Sequence, residues 1–116
     1  VAWATAVLAA ALVVPSTLSP AAPAELPVVE IMASHQGFQP STVSLRRGEP
    51  VRIVLSTADD THCFAVDAFR VEKRITPGRT TTFDFTPDRS GTFPFYCCLE
   101  SGRAAVVERG HLEIQD

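Results

Sequence analysis

From Val28 to the end of the chain, apolar and polar residues alternate in short runs. Val28–Met32 is a β-branched run, Thr42–Arg46 places Val43 and Leu45 two apart, and Val51–Leu55 repeats the pattern around Arg52. Phe64 and Val66 follow His62 at period two, and Phe69–Ile75, Thr82–Phe85, Thr92–Cys97 and His111–Ile114 continue the series. A period of two marks strands with one buried face and one wet face. Arg47-Gly48-Glu49-Pro50, Thr76-Pro77-Gly78 and Pro87–Gly91 are turn sequences between these runs. About eight short strands separated by turns predict an all-β chain folded as a Greek-key β-sandwich. The one helical candidate is Arg103–Glu108, between Gly102 and Gly110. Pro94 lies inside the seventh run and predicts an edge or a bulge there, because proline cannot donate to a ladder.

The first residues are a different material. Residues 1–14 read VAWATAVLAAALVV, and no charged residue precedes Glu25. This apolar N-terminal segment is shorter than the ~20 residues of a membrane span and has the length of a signal-peptide core. Ala22-Pro23-Ala24 fits an A-x-A cleavage pattern, and Pro15–Pro27 reads as a Pro/Ala/Ser linker. Residues 1–24 are therefore expected to be a signal peptide or N-terminal anchor with its linker, and 25–116 the domain. That implies export to the periplasm or another extracytoplasmic space, with residues 1–14 as a membrane tether in the uncleaved form. The 116 residues suffice for one domain, and a 46% hydrophobic fraction is too high for a disordered chain. The formal net charge of -3 excludes nucleic acid as the partner of a broad basic surface. Arg70, Lys73 and Arg74 are read as the wet face of one strand.

Several segments, in order, carry a family resemblance. Gly37-Phe38-Gln39-Pro40, Val43-Ser44-Leu45 and Gly48-Glu49-Pro50-Val51 resemble the opening of a cupredoxin domain. Asp60–Val66 is similar to the segment that delivers its first histidine ligand, and Gly91–Cys97 to the strand that delivers its cysteine. The pattern resembles the copper domain of cytochrome c oxidase subunit II and the small periplasmic proteins similar to it. The resemblance implies copper, as Cu(I) or Cu(II), and a redox protein or copper-transfer protein as partner. The ligand set departs from the family. The dinuclear pattern, Cys-x3-Cys-x3-His-x2-Met, started at Cys97 falls on Ser101, Ala105 and Glu108, and the mononuclear pattern finds no His in the loop after Cys97. Met32, the only methionine, is in the first strand.

Side-chain parity sorts what remains. Phe93, Phe95 and Cys97 share one face of their strand; His62, Phe64 and Val66 share one face of theirs. With the phenylalanines in the core, His62 and Cys97 open at the same end of the sandwich and offer one imidazole and one thiolate to a borderline or soft metal. Cys98 and Cys63 complete the candidate metal residues, and Glu100, Glu108, His111 and His35 are further candidates for a third ligand. Surface charge is the simpler reading of Glu100 and Glu108, and solvent exposure that of His111 and His35. The cysteine count is odd, at 3. Parity favours a Cys63–Cys98 disulfide that spares Cys97; the rival arrangement keeps all the thiols as a thiolate-rich cluster suited to Cu(I). Two functions follow: an exported copper protein of electron transfer or copper handling acting through His62 and Cys97, or a metal-free sandwich serving as an interaction or structural module. No G-x-S-x-G or Cys-x-x-Cys motif occurs, so no enzyme chemistry is assigned to the chain.

Overall fold

The computed structural model describes residues 2–15, 25–100 and 102–116. The ordered elements are β1 (Val28–Ser34), β2 (Gly37–Gln39), β3 (Thr42–Arg46), β4 (Val51–Thr57), β5 (His62–Val66), a 3-10 helix (Asp67–Phe69), β6 (Val71–Ile75), β7 (Thr81–Phe85), β8 (Gly91–Tyr96), α1 (Arg103–Val107) and β9 (Arg109–Gln115). They build two sheets, in the orders β2-β1-β4-β7 and β3-β9-β8-β5-β6. The pairs β1–β4 and β3–β9 are parallel, and the other pairs are antiparallel. A strand cannot reach a parallel neighbour through a tight hairpin, so the chain crosses between sheets, which makes a sandwich.

Period-two patterning does what it predicts. In β3, Val43 and Leu45 are buried while Thr42, Ser44 and Arg46 are exposed; in β9, Gly110, Leu112 and Ile114 are buried and the residues between them are exposed. β5 differs: all of its residues are buried, on both faces. Phe64 packs on Phe95 with ring centroids 5.0 Å apart, and Phe38 meets Phe95 edge-on at 5.2 Å. The core face of β5 is thus that of His62, Phe64 and Val66. Cys63 lies on the opposite face, where a disulfide to Cys98 covers it.

Three expectations shift. Among the described residues the strands number nine, the extra one being the short β2. The run expected to start at Phe69 starts at Val71, because Asp67–Phe69 turns as a 3-10 helix and Arg70 takes a left-handed conformation at φ 54. Pro94 is not on an edge: β8 lies between β9 and β5, with Pro94 opposite His111. The proline is tolerated because β5 meets β8 only at Ala65↔Tyr96. Extending that register puts Pro94 opposite Asp67, where β5 has given way to the 3-10 helix. Arg103–Val107 forms the expected helix. Ala2–Pro15 carry no secondary structure and are exposed, and among the described residues no helix is long and apolar enough to cross a membrane.

One glycine is required by packing. Gly110 faces Phe95 across the β8–β9 ladder, and a Cβ added there would fall into the Phe95 ring and onto the Ser41 carbonyl. Gly110→Ala is expected to destabilise the protein by about 1–3 kcal/mol through overpacking, measured as a lower denaturant midpoint with an unchanged slope.

Candidate metal centre

Three strand ends converge at one pole of the sandwich. His62 opens β5, with its backbone in register with Ile75 of β6. Cys97 follows β8 directly, and Glu108 sits between α1 and β9. The Cys97 N–H donates to the Glu108 carbonyl at 3.1 Å, which extends the β8–β9 ladder by one step and sets these two residues opposite each other. The Glu108 N–H donates to the Ala104 carbonyl at 3.0 Å, so the short helix hands the chain to the strand at this point.

The side chains meet in a site closed to solvent. His62, Cys97 and Glu108 are each 1% exposed or less. Cys97 Sγ lies 3.9 Å from His62 Nδ1 and accepts the Cys63 N–H at 3.3 Å. Ligand atoms of His62, Cys97, Glu100 and Glu108 all lie within 4.8 Å of one another. This is the donor spacing of a metal-binding cluster, with one thiolate sulfur, one imidazole nitrogen and carboxylate oxygens.

Carboxylates hold the imidazole from both sides. Asp59 Oδ1 lies 2.6 Å from His62 Nε2, and Glu108 Oε1 lies 2.5 Å from Nδ1, so Nδ1 is the ring nitrogen that faces the cluster. Asp59 is itself well held: its Oδ2 accepts the His35 N–H at 2.9 Å and its Oδ1 accepts the Asp60 N–H at 2.6 Å. The His35 amide, and then the His62 ring, hold the Asp59 carboxyl well below the ordinary carboxylate range. His35 lies at the rim, with its ring edge-on to His62 at 5.1 Å and its Nε2 2.6 Å from Asp60 Oδ2. The Asp60 carboxylate, helped by Asp59, raises the His35 imidazole above its usual value.

Glu108 is the anomaly of the site. Its Oε1 lies 2.5 Å from His62 Nδ1, close enough for an ion pair, yet the approach lacks hydrogen-bond geometry and neither carboxylate oxygen has a hydrogen-bond partner. Burial pushes its carboxyl up, against the opposing pull of His62. A surface-charge reading of Glu108 is therefore overturned, because the side chain is wholly enclosed. Glu100 is half-buried, with its N–H donating to the Cys97 carbonyl at 3.4 Å. His111 is exposed, as expected of its place in the last strand.

The cysteines divide between two tasks. Cys63 and Cys98 are joined in a disulfide with Cα atoms 5.2 Å apart, and Cys97 is a free, buried thiol. Cys63 and Cys98, joined to each other, thus lie beside the group of His62, Cys97, Glu100 and Glu108, the arrangement that strand parity favours. The bridge joins the residue after His62 to the residue after Cys97, bracing both donor segments one position from each donor. Asp59 is the participant that sequence reasoning passes over, since an aspartate in a turn is ordinary.

A cupredoxin-like domain match spans residues 4–107. The chain belongs to the cupredoxin-like family. The probable cytochrome c oxidase subunit 2 of Streptomyces avermitilis is 41% identical over 56 residues, which is 48% of this chain and only 18% of that protein's length. The periplasmic domain of cytochrome oxidase subunit II of Bradyrhizobium japonicum superposes with a TM-score of 0.68 over 78% of this chain and 85% of that domain, at 17% identity. The metal binding domain of the Cu(I) exporting P-type ATPase CopA of Streptococcus pneumoniae, solved with Cu(I), gives 0.65 over 77% of this chain and 85% of that one, at 18% identity. At these identities the structural likeness speaks for the fold. For this cupredoxin-like chain, the donor chemistry at the pole suits a copper ion: a buried thiol, a buried imidazole, and a carboxylate without hydrogen-bond partners.

Two tests address this geometry. Asp59→Ala removes the carboxylate that holds His62 Nε2 and is expected to weaken Cu(II) binding about tenfold, read by competition titration. Replacing Cys63 and Cys98 together by serine is expected to cost ~2–4 kcal/mol of folding stability, read by thermal or denaturant unfolding.

Proposed function

We propose that this protein is an exported copper-binding electron-transfer protein in which His62 Nδ1 and Cys97 Sγ hold the metal. The observation that carries this reading is the enclosed His62–Cys97 pair at one pole of a cupredoxin-like sandwich, with Nδ1 3.9 Å from Sγ. Copper at such a site supplies a one-electron couple. The protein's part is to keep the donors still and dry, so that little rearranges between oxidation states. The Cys63 N–H holds the sulfur, the Asp59 carboxylate holds the ring, and the sandwich excludes water.

Export is supported by the apolar segment at residues 1–14, by the disulfide, a bond typical of oxidising compartments, and by the likeness to a periplasmic domain. The partner in this reading is a second redox protein. Copper handling is the second reading, and the likeness to a Cu(I)-bound domain of a copper exporter favours it. Against it stands the disulfide, which takes two of the three thiols that a Cu(I) cluster would use.

Metal analysis after growth in copper-supplemented medium, with Cys97→Ser in parallel, tests the proposal. One copper per chain is expected in the parent and little in Cys97→Ser. The Cu(II) form of the parent should show an intense visible thiolate-to-copper band. Equal copper in both proteins would remove the proposal, and a tight, colourless Cu(I) complex without that band would favour handling.

A further inference from the structure

We infer that Glu108 is a resident ligand of the metal centre and that its carboxylate biases the centre towards copper(II). This rests on the copper reading above and adds to it a donor that the family pattern does not supply, since the dinuclear spacing puts a methionine where Glu108 stands.

The first ground is the enclosure of the carboxylate. A buried carboxylate without hydrogen bonds is a costly feature, and buried charges normally pair with a counter-charge or coordinate a metal. Glu108 is 0% exposed, and neither of its oxygens has a hydrogen-bond partner. The second ground is direction. Oε1 points at His62 Nδ1 from 2.5 Å. The imidazole nitrogen, the carboxylate oxygen and the Cys97 sulfur thus converge within one enclosed cluster, the arrangement of donors around a cation.

The third ground is the backbone: the Glu108 carbonyl accepts the Cys97 N–H and its own N–H donates to the Ala104 carbonyl, which holds Glu108 opposite the sulfur. The fourth ground is elimination. The disulfide removes Cys63 and Cys98 as thiolate donors, which leaves Glu100 and Glu108 beside His62 and Cys97 in the cluster. Glu100 is partly exposed and needs no ligand to account for it. A hard oxygen donor in place of a soft thioether favours the divalent ion over Cu(I).

The test compares full-length parent, Glu108→Gln, Glu108→Met and Cys97→Ser by competition for Cu(II) and for Cu(I), and by thermal unfolding without metal. Glu108→Gln is expected to lose about tenfold or more in Cu(II) affinity, with a smaller change for Cu(I), and Glu108→Met is expected to move the preference towards Cu(I). Without metal, both variants should melt above the parent, because an unpaired buried carboxylate has gone. Unchanged Cu(II) affinity in Glu108→Gln, with copper lost in Cys97→Ser, overturns the ligand assignment and leaves the copper reading standing. Lower melting of both Glu108 variants, or failure of both to fold, also overturns it, since the carboxylate would then be a structural partner of the imidazole. Copper binding by Cys97→Ser equal to the parent's would instead sink the underlying copper reading.

Discussion

The close approach of Glu108 to His62 is the constraint around which this end of the molecule is organised. A carboxylate that has lost its hydration and gained no hydrogen bond opposes folding, and here its backbone is held between Cys97 and Ala104. The β8–β9 ladder runs one step past its last strand residues to bind Cys97 to Glu108, and α1 closes over the same residue. A sandwich built only for stability would place an apolar side chain here. Local instability at a site held by a stable frame is the usual mark of function.

The frame supplies what the pole lacks. Phe38, Phe64, Phe83 and Phe95 form a connected aromatic cluster beneath the site, in tilted and edge-on contacts that add directional attraction to simple burial. His62 and Cys97 continue the inward faces of the strands that carry Phe64 and Phe95. The donors are therefore the last members of the core rather than additions to its surface. That continuity explains why the donors are enclosed although they sit at strand ends, and why their backbones are as fixed as those of the core.

Much of this was readable in the alternation of residues. Period two located the strands and sorted His62 from Cys63, and Cys97 from Cys98, on opposite faces, because side-chain parity is a local property of extended backbone. What escaped was set by contacts distant in sequence. Nothing around Glu108 marks it as buried, since its place comes from the register between β8 and β9. Asp59 resembles any turn aspartate until β5 and the β1–β2 turn are brought together around it. Pro94 misled for the same reason: whether an interior strand can accept a proline depends on how far its neighbour extends, and β5 ends before Pro94 needs a partner.

The pairs His62-Cys63 and Cys97-Cys98 each use two adjacent residues for opposite faces, one for the covalent bridge and one for the pole. Each pair is in effect a two-letter word that cannot be respelled. A one-residue insertion or deletion within β5 would turn the imidazole at 62 outward, and one between Phe95 and Cys97 would do the same to the sulfur.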